Sequence, residues 1–237
     1  LFGHEGQPLA GGMFALSGGA ELAHVGRWDG SAWRPMGDGF NAAVRTFTHF
    51  RGDLIAAGDF SLSGSTPVRR VARWNGSTWE RLGHGIDGTV TALQVWNGVL
   101  VAAGDFSAAG GSRAANTARW DPEGKDWVSF AHTDGPVRAM ETYQGELVLA
   151  GSFQQVDGTP VPGLARTDGG GWRSLGGAPD GSVYALGSWR GRLVAAGNFT
   201  SIGVLRTPRV AWSDGGSGSA PPLGPALGFG VPAPPLC

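Results

Sequence analysis

The chain has 237 residues, of which 43 are glycine, 15 proline and 10 tryptophan. Glycine at more than twice its usual ~7% would fit low-complexity disorder, but the aromatic content and a regular glycine spacing exclude that class. Eighteen basic residues against 19 acidic ones give a net charge of −1. With no basic block, a nucleic-acid groove or an anionic membrane surface is excluded as a partner.

No apolar run approaches the ~18 residues of a membrane helix, so no membrane insertion is expected. Cys237 is the single cysteine, which rules out an internal disulfide framework and a cysteine zinc cluster. The opening at Leu1 carries no charged-then-apolar leader and reads as a processed form or a fragment.

Taken in chain order, the sequence repeats. Glycine-rich phrases end in Phe14, Phe60, Phe106, Phe153 and Phe199, spaced by 46, 46, 47 and 46 residues. Arg27-Trp28, Arg73-Trp74, Arg119-Trp120 and Arg166-Thr167 run in step, as do Trp33, Trp79, Trp127 and Trp172. A G-x-L turn at Gly52, Gly98, Gly145 and Gly191 is a fourth marker of the same period. Five repeats follow from this self-similarity.

The third copy predicts four strands. Residues 90–96 alternate in size, Asn97-Gly98 is a two-residue hairpin turn, and 99–106 is a nearly continuous apolar run suited to a strand covered on both faces. After a polar loop at 107–115, strands are expected at 116–121 and 126–131. No segment holds a convincing helical period. Four short strands per ~46 residues indicate an all-β chain, a β-propeller of five four-stranded blades. One domain is expected over residues 1–231, with a Pro-rich tail or linker at 232–237.

Leu1-Phe2 aligns with the second half of a first strand, and Leu223-Gly224 and Val231 align with Leu82-Gly83 and Val90. The C-terminal stretch therefore either completes that strand and closes the ring or leaves the domain as a linker.

The pattern resembles the kelch repeat, on Leu9-Ala10-Gly11-Gly12 with Trp28 and Trp33, and on Leu54 to Gly58 with Trp74 and Trp79. Leu100 to Gly104 with Trp120 and Trp127, and Leu147 to Gly151 with Trp172, continue it. Later copies keep Ala-Gly where the first has the double glycine. The GDF/GSF/GNF…ARW-x-G-x-x-W form looks like the kelch-like repeats of secreted bacterial proteins and of the fungal cortical polarity marker family. The resemblance implies a propeller at the cell surface or outside the cell, and says little about ligand.

Several motifs have a structural and a chemical reading. The segment Gly83-His84-Gly85-Ile86-Asp87-Gly88 spells G-x-G-x-x-G, but it joins an outer strand to an inner one, so a dinucleotide site is set aside. The repeated arginines read as filling an interblade cation–π or hydrogen-bonding role, stacked on a tryptophan of a neighbouring strand, in preference to an anion-binding ring. A buried-core role is expected for the tryptophans, with Trp74 a test position. Phe50, Trp96, Tyr143 and Trp189 precede the G-x-L turns, as hairpin packing or as an exposed stacking rim. Asp59, Asp105 and Asn198, with Ser152 and Met13, share one repeat position; Met13 interrupts any cation ring, and strand-end turns are the simpler role. The five histidines show no metal-ligand spacing.

No catalytic motif is present, so the chain is read as a non-enzyme with no cofactor. Recognition is assigned to the loops between second and third strands, 15–24, 61–70, 107–116, 154–163 and 200–208, read as differing in length and chemistry. Arg69, Arg70, Arg113 and Arg206 are the candidate ligand contacts. The expected partner is a protein; a glycan bound lectin-fashion, a structural role in an extracellular assembly with self-association, and a glycan-active enzyme are the alternatives.

Overall fold

The computed structural model describes residues 1–213 and 224–225, and the described residues contain strands and turns but no helix. Five antiparallel four-stranded sheets stand in a ring, each with its strands in sequence order from inner to outer. In blade 3 these are Thr89–Trp96, Val99–Asp105, Thr117–Asp121 and Asp126–Ser129. The expected strands match these within two residues. The inner strands of blades 2 to 5, Val44–Phe50, Thr89–Trp96, Val137–Tyr143 and Val183–Trp189, lie against one another in succession.

The apolar run in each second strand is explained by its two covered faces. Leu100 and Ala102 join the core with blade 2, while Val101 and Ala103 join the core with blade 4. Alternation along the strand sends successive side chains to opposite faces. Four such cores join blades 1 to 2, 2 to 3, 3 to 4 and 4 to 5.

Every full-length inner strand carries a bulge near its start, at Val44/Thr46, Val90/Ala92, Val137/Ala139 and Val183/Ala185. There a carbonyl presses on the glycine of the second strand. A Cβ on Gly58, Gly104, Gly151 or Gly197 would sit 2.1, 2.0, 2.2 or 2.1 Å from the oxygen of Ala43, Thr89, Pro136 or Ser182. The repeated Ala-Gly pair is thus a close-approach requirement.

The 47-residue spacing also has a local cause. Trp120 and Trp127 pair across a turn two residues longer than those joining Trp28 to Trp33 and Trp74 to Trp79, and the following connector is one residue shorter.

Blade 1 has a short inner strand, Phe2–His4, paired to Gln7–Gly11, as the alignment of Leu1-Phe2 indicated. In blade 5 the outer strand is Gly224–Pro225, paired with Ala211 and Trp212, so the degenerate copy keeps a fourth strand without its tryptophan. The closure reading based on Leu223 and Val231, and the tail at 232–237, fall outside the described residues.

The third-strand arginines differ from expectation. Arg73 pairs with Glu80 at 2.8 Å and Asp53 at 3.4 Å, and Arg166 with Glu146 at 3.0 Å, all within one blade. None of them stacks on a tryptophan; the cation–π pairs among the described residues are Arg51 on Phe50, Arg190 on Trp189 and Arg192 on Trp212. The register decides this, because Arg73 lies directly opposite Glu80 while the adjacent Trp74 projects to the other face.

Candidate functional site

Between the second and third strands of every blade the chain forms a small two-stranded hairpin. The five loops are of one length and one architecture, which corrects the expectation that they differ in length. In each, an amide near the loop's end donates to the loop's first carbonyl: Leu22 to Ala15, Val68 to Ser61, Ala114 to Ser107, Val161 to Gln154 and Thr207 to Thr200. A second bond returns to the anchor phenylalanine, from His24 to Phe14, Arg70 to Phe60, Asn116 to Phe106, Gly163 to Phe153 and Arg209 to Phe199.

The local sequence permits this. The last residue of each loop has positive φ, between 66° and 74° at His24, Arg70, Asn116, Gly163 and Arg209. The hairpin tips Gly18-Gly19, Gly110-Gly111 and Asp157-Gly158 have positive φ at both positions, the primed turn that matches strand twist. Phe60, Phe153 and Phe199 are fully buried beneath the hairpins.

One side chain from the preceding connector staples each hairpin base of blades 2 to 5. Asn41 accepts from the amides of Ser61 and Leu62 at 2.9 and 3.0 Å. Asp87 takes Ser107 and Ala108 at 3.0 and 2.8 Å, Asp134 takes Gln154 and Gln155 at 2.8 and 3.1 Å, and Asp180 takes Thr200 and Ser201 at 2.7 and 3.0 Å. Burial pushes the Asp87 carboxyl up, but the Ser107 hydroxyl and the two amides outweigh it and hold Asp87 below the usual carboxylate range. At Asp134 the same opposition, with the Gln154 and Gln155 amides, also lowers it. The Thr200 hydroxyl and the Ser201 and Thr200 amides hold Asp180 well below that range.

A carboxyl depressed in the fold contributes stability that is complete above its unfolded pKa of about 4 and lost as pH falls through the folded value. The urea midpoint is therefore expected to stay level from neutral pH to about pH 5 and to fall below pH 4. Asp180→Asn should flatten part of that fall; an unchanged acid limb in this variant would remove Asp180 from the account.

This staple was missed in the sequence, although Asn41, Asp87, Asp134 and Asp180 keep the phenylalanine spacing. Asp87 is the fifth residue of the G-x-G-x-x-G letters. Gly83 and Gly85 both have positive φ, and a Cβ at Gly85 would lie 2.5 Å from that of Arg69. No helix starts there, so the structural context that a dinucleotide site requires is missing. His84 gains a partner invisible in the local sequence, the Asp126 carboxylate of the next blade, whose other oxygen accepts the His84 amide at 2.9 Å.

The arginine candidates divide into two places. Arg113 and Arg206 occupy the same exposed position of the outward hairpin strands in blades 3 and 5, opposite Ala108 and Ser201. Arg69 and Arg70 lie at the hairpin root. The Arg69 carbonyl accepts from Ile86 at 3.0 Å, and the Arg70 guanidinium donates to the Asp59 carbonyl.

The repeated Asp59 position serves blade ends. Asp59 pairs with Arg45 at 2.7 Å, Asn198 accepts from the Ser182 amide at 2.7 Å, and Ser152 meets the Ser182 hydroxyl at 2.8 Å. No group of three or more metal-binding side chains gathers among the described residues.

The aromatics before the G-x-L turns pack inward. Trp96 donates to Gly145 O at 2.9 Å and Tyr143 to Gly191 O at 3.2 Å, each reaching the next blade. Phe50, Trp96 and Tyr143 are buried; only Trp189 of this set is open.

Residues 32–188 match the family model of the Rax2 C-terminal beta propeller domain. The chain belongs to that family. The match runs from the outer strand of blade 1 to the inner strand of blade 5 and covers more than half of the sequence. No curated protein matches the sequence. In this Rax2-type propeller the hairpin rim repeats its backbone in every blade while one outward position varies among Glu21, Pro67, Arg113, Pro160 and Arg206. Clefts beside the hairpins are unequal, about 100 Å³ next to Arg69 and Asp87, about 190 Å³ next to Phe153 and Asp180, and about 470 Å³ between Glu21 and Gly64.

Proposed function

We propose that this Rax2-type propeller is a non-catalytic recognition module at the cell surface, which holds a protein partner across its hairpin rim. The observation that carries the reading is a five-fold repeated backbone presenting Glu21, Pro67, Arg113, Pro160 and Arg206 at one equivalent position. Five like pockets would suit a repeated small ligand. Three kinds of side chain, one Glu, two Pro and two Arg, on one scaffold, beside clefts of unequal size, suit a single extended surface better than five copies of one pocket. The resemblance to cortical polarity markers supports a place at the cell surface.

Immobilised protein challenged with solubilised cell-surface proteins should retain a discrete species saturably. Arg113→Glu combined with Arg206→Glu should weaken retention about tenfold or more, as loss of interface arginines does, with the melting temperature unchanged. A saturable hit on a glycan array without a retained protein would replace this reading with a lectin.

A further inference from the structure

The residue that closes each inner strand, just before its two-residue turn, reaches the next blade. Phe50 packs with Val95 in the core between blades 2 and 3, Trp96 donates to Gly145 O at 2.9 Å, and Tyr143 to Gly191 O at 3.2 Å. In blade 1 this residue is His4, paired with Gln7 as Phe50 is with Asp53 and Trp96 with Val99. Its Nδ1 meets Nε2 of His49 in blade 2 at 2.9 Å. His49 stands where blades 3, 4 and 5 carry Val95, Thr142 and Ser188. The contact of blade 1 with blade 2 therefore joins two imidazoles, the side chain whose charge changes between about pH 5 and 8. The later contacts set a ring against an apolar side chain or a main-chain carbonyl.

The two rings meet head-on. Their centres are 5.2 Å apart and their planes 28° from parallel. That is as far apart as a 2.9 Å nitrogen contact allows, so both nitrogens lie on the line between the centres. Such a bond needs one N–H and one lone pair. It survives a first added proton, which goes to the outer nitrogen of the donating ring. A second proton takes the lone pair itself, and two charged N–H groups then face each other.

The Phe2 ring rests on this pair, 5.0 Å from the His49 ring and 5.9 Å from that of Phe47, centre to centre. Losing the head-on bond bears on the whole seat of Phe2–His4 against blade 2. Its pairing with Gln7–Gly11 is main-chain and needs neither ring.

His49 faces His4 from blade 2, Arg27 from the third strand of its own blade, and Glu5 from the adjoining turn, 3.9 Å from Nε2. Burial is the largest influence and lowers the His4 pKa; the Glu5 carboxylate opposes it, and His49 and Arg27 add to the lowering. A histidine depressed in the fold contributes stability that is complete above its unfolded pKa of about 6.5 and lost as pH falls through the folded value.

We propose that His4 and His49 form an acid-released clasp: one hydrogen shared head-on between the rings holds the inner strand of blade 1 to blade 2, and protonation of both rings frees it. The cores joining blades 2 to 5 contain no histidine, so the release is local.

Imidazole nitrogen spectra and ring-to-ring Overhauser contacts on the whole 237-residue chain, from about pH 8 to about pH 4.5, test the clasp. His4 and His49 are expected to titrate as a coupled pair in two separated steps, and the Phe2–Phe47 contact is expected to be lost with the second. His4→Phe installs the residue that blade 2 carries as Phe50. In that variant His49 should titrate in one step, and Phe2 should stay on Phe47 throughout. Independent single-step titrations in the unsubstituted chain, or no second step by about pH 4.5, overturn the proposal. So does a Phe2–Phe47 contact that outlasts the second step, or one lost equally in His4→Phe. The spectra of the unsubstituted chain decide the matter even if the variant fails to fold.

Discussion

Truncating Trp127 to alanine is expected to lower the unfolding free energy by about 3–5 kcal/mol, the range for deleting a buried tryptophan. Its ring is 1% exposed in the core between blades 2 and 3, and its indole N–H donates to the Leu82 carbonyl at 3.1 Å. Trp79 makes the same bond to Met36 at 3.0 Å, so one tryptophan ties an outer strand to the preceding connector. Trp127→Phe keeps most of the apolar volume and leaves the Leu82 carbonyl without this donor, a loss of about 1–3 kcal/mol. Trp120→Ala should cost less, because that ring is only half-buried, packed edge-on against Trp127 at 5.6 Å. Trp74 is half-buried in the same way, which makes Trp79 the stronger test position in blade 2. Urea denaturation of the set decides the point; equal losses for Trp120→Ala and Trp127→Ala would show that the interblade position of Trp127 carries no special weight.

Gly104→Ala is the second substitution with a large expected effect. The new methyl would lie 2.0 Å from the Thr89 carbonyl oxygen and 3.0 Å from the Val90 Cα. Both contacts are backbone, so no rotamer change relieves them, and the bulge between Val90 and Ala92 must move. A loss of more than about 3 kcal/mol is expected, at the severe end of single substitutions. Gly98→Ala is a useful contrast. Gly98 has open space around its Cβ position and a φ of 75°, so its loss should be near the ~1–2 kcal/mol of a left-handed backbone alone. Thermal unfolding of both variants separates crowding from backbone conformation; similar melting temperatures would mean that the bulge yields freely.

The framework was legible in the sequence wherever a signal repeats within one blade. Phe106, the Asn97-Gly98 turn and the apolar run from Val99 each fix a strand or its end by local chemistry, and all of them sit where expected. Contacts that reach between blades were not legible in the same way. Asp126 is 42 residues from His84, and Asp87 reaches 20 residues forward to Ser107; nothing beside either residue points to its partner. The arginine reading failed for a related reason. Adjacency in sequence put Arg73 next to Trp74, while the sheet puts them on opposite faces and sets Glu80 across from Arg73. The loops read as dissimilar in sequence because the side chains on their outward strands differ, and their common backbone shows only in bonds such as Val68 to Ser61.

The way each hairpin is tied has a bearing on how such a rim can change. Its base is fixed by the ring-closing amide, the bond to the anchor phenylalanine and, in blades 2 to 5, the Asp or Asn staple, all of which engage main-chain atoms. The tips are tied too, by the amides of Gly110, Asp157 and Gly203 to the carbonyls of Gly85, His132 and Ala178 and by their positive φ, whereas the outward residues Glu21, Pro67, Arg113, Pro160 and Arg206 lend no side chain to these ties. Their identities can drift, or be rewritten by grafting, while each hairpin keeps its shape and position, so a single blade can be given new specificity without disturbing the other four.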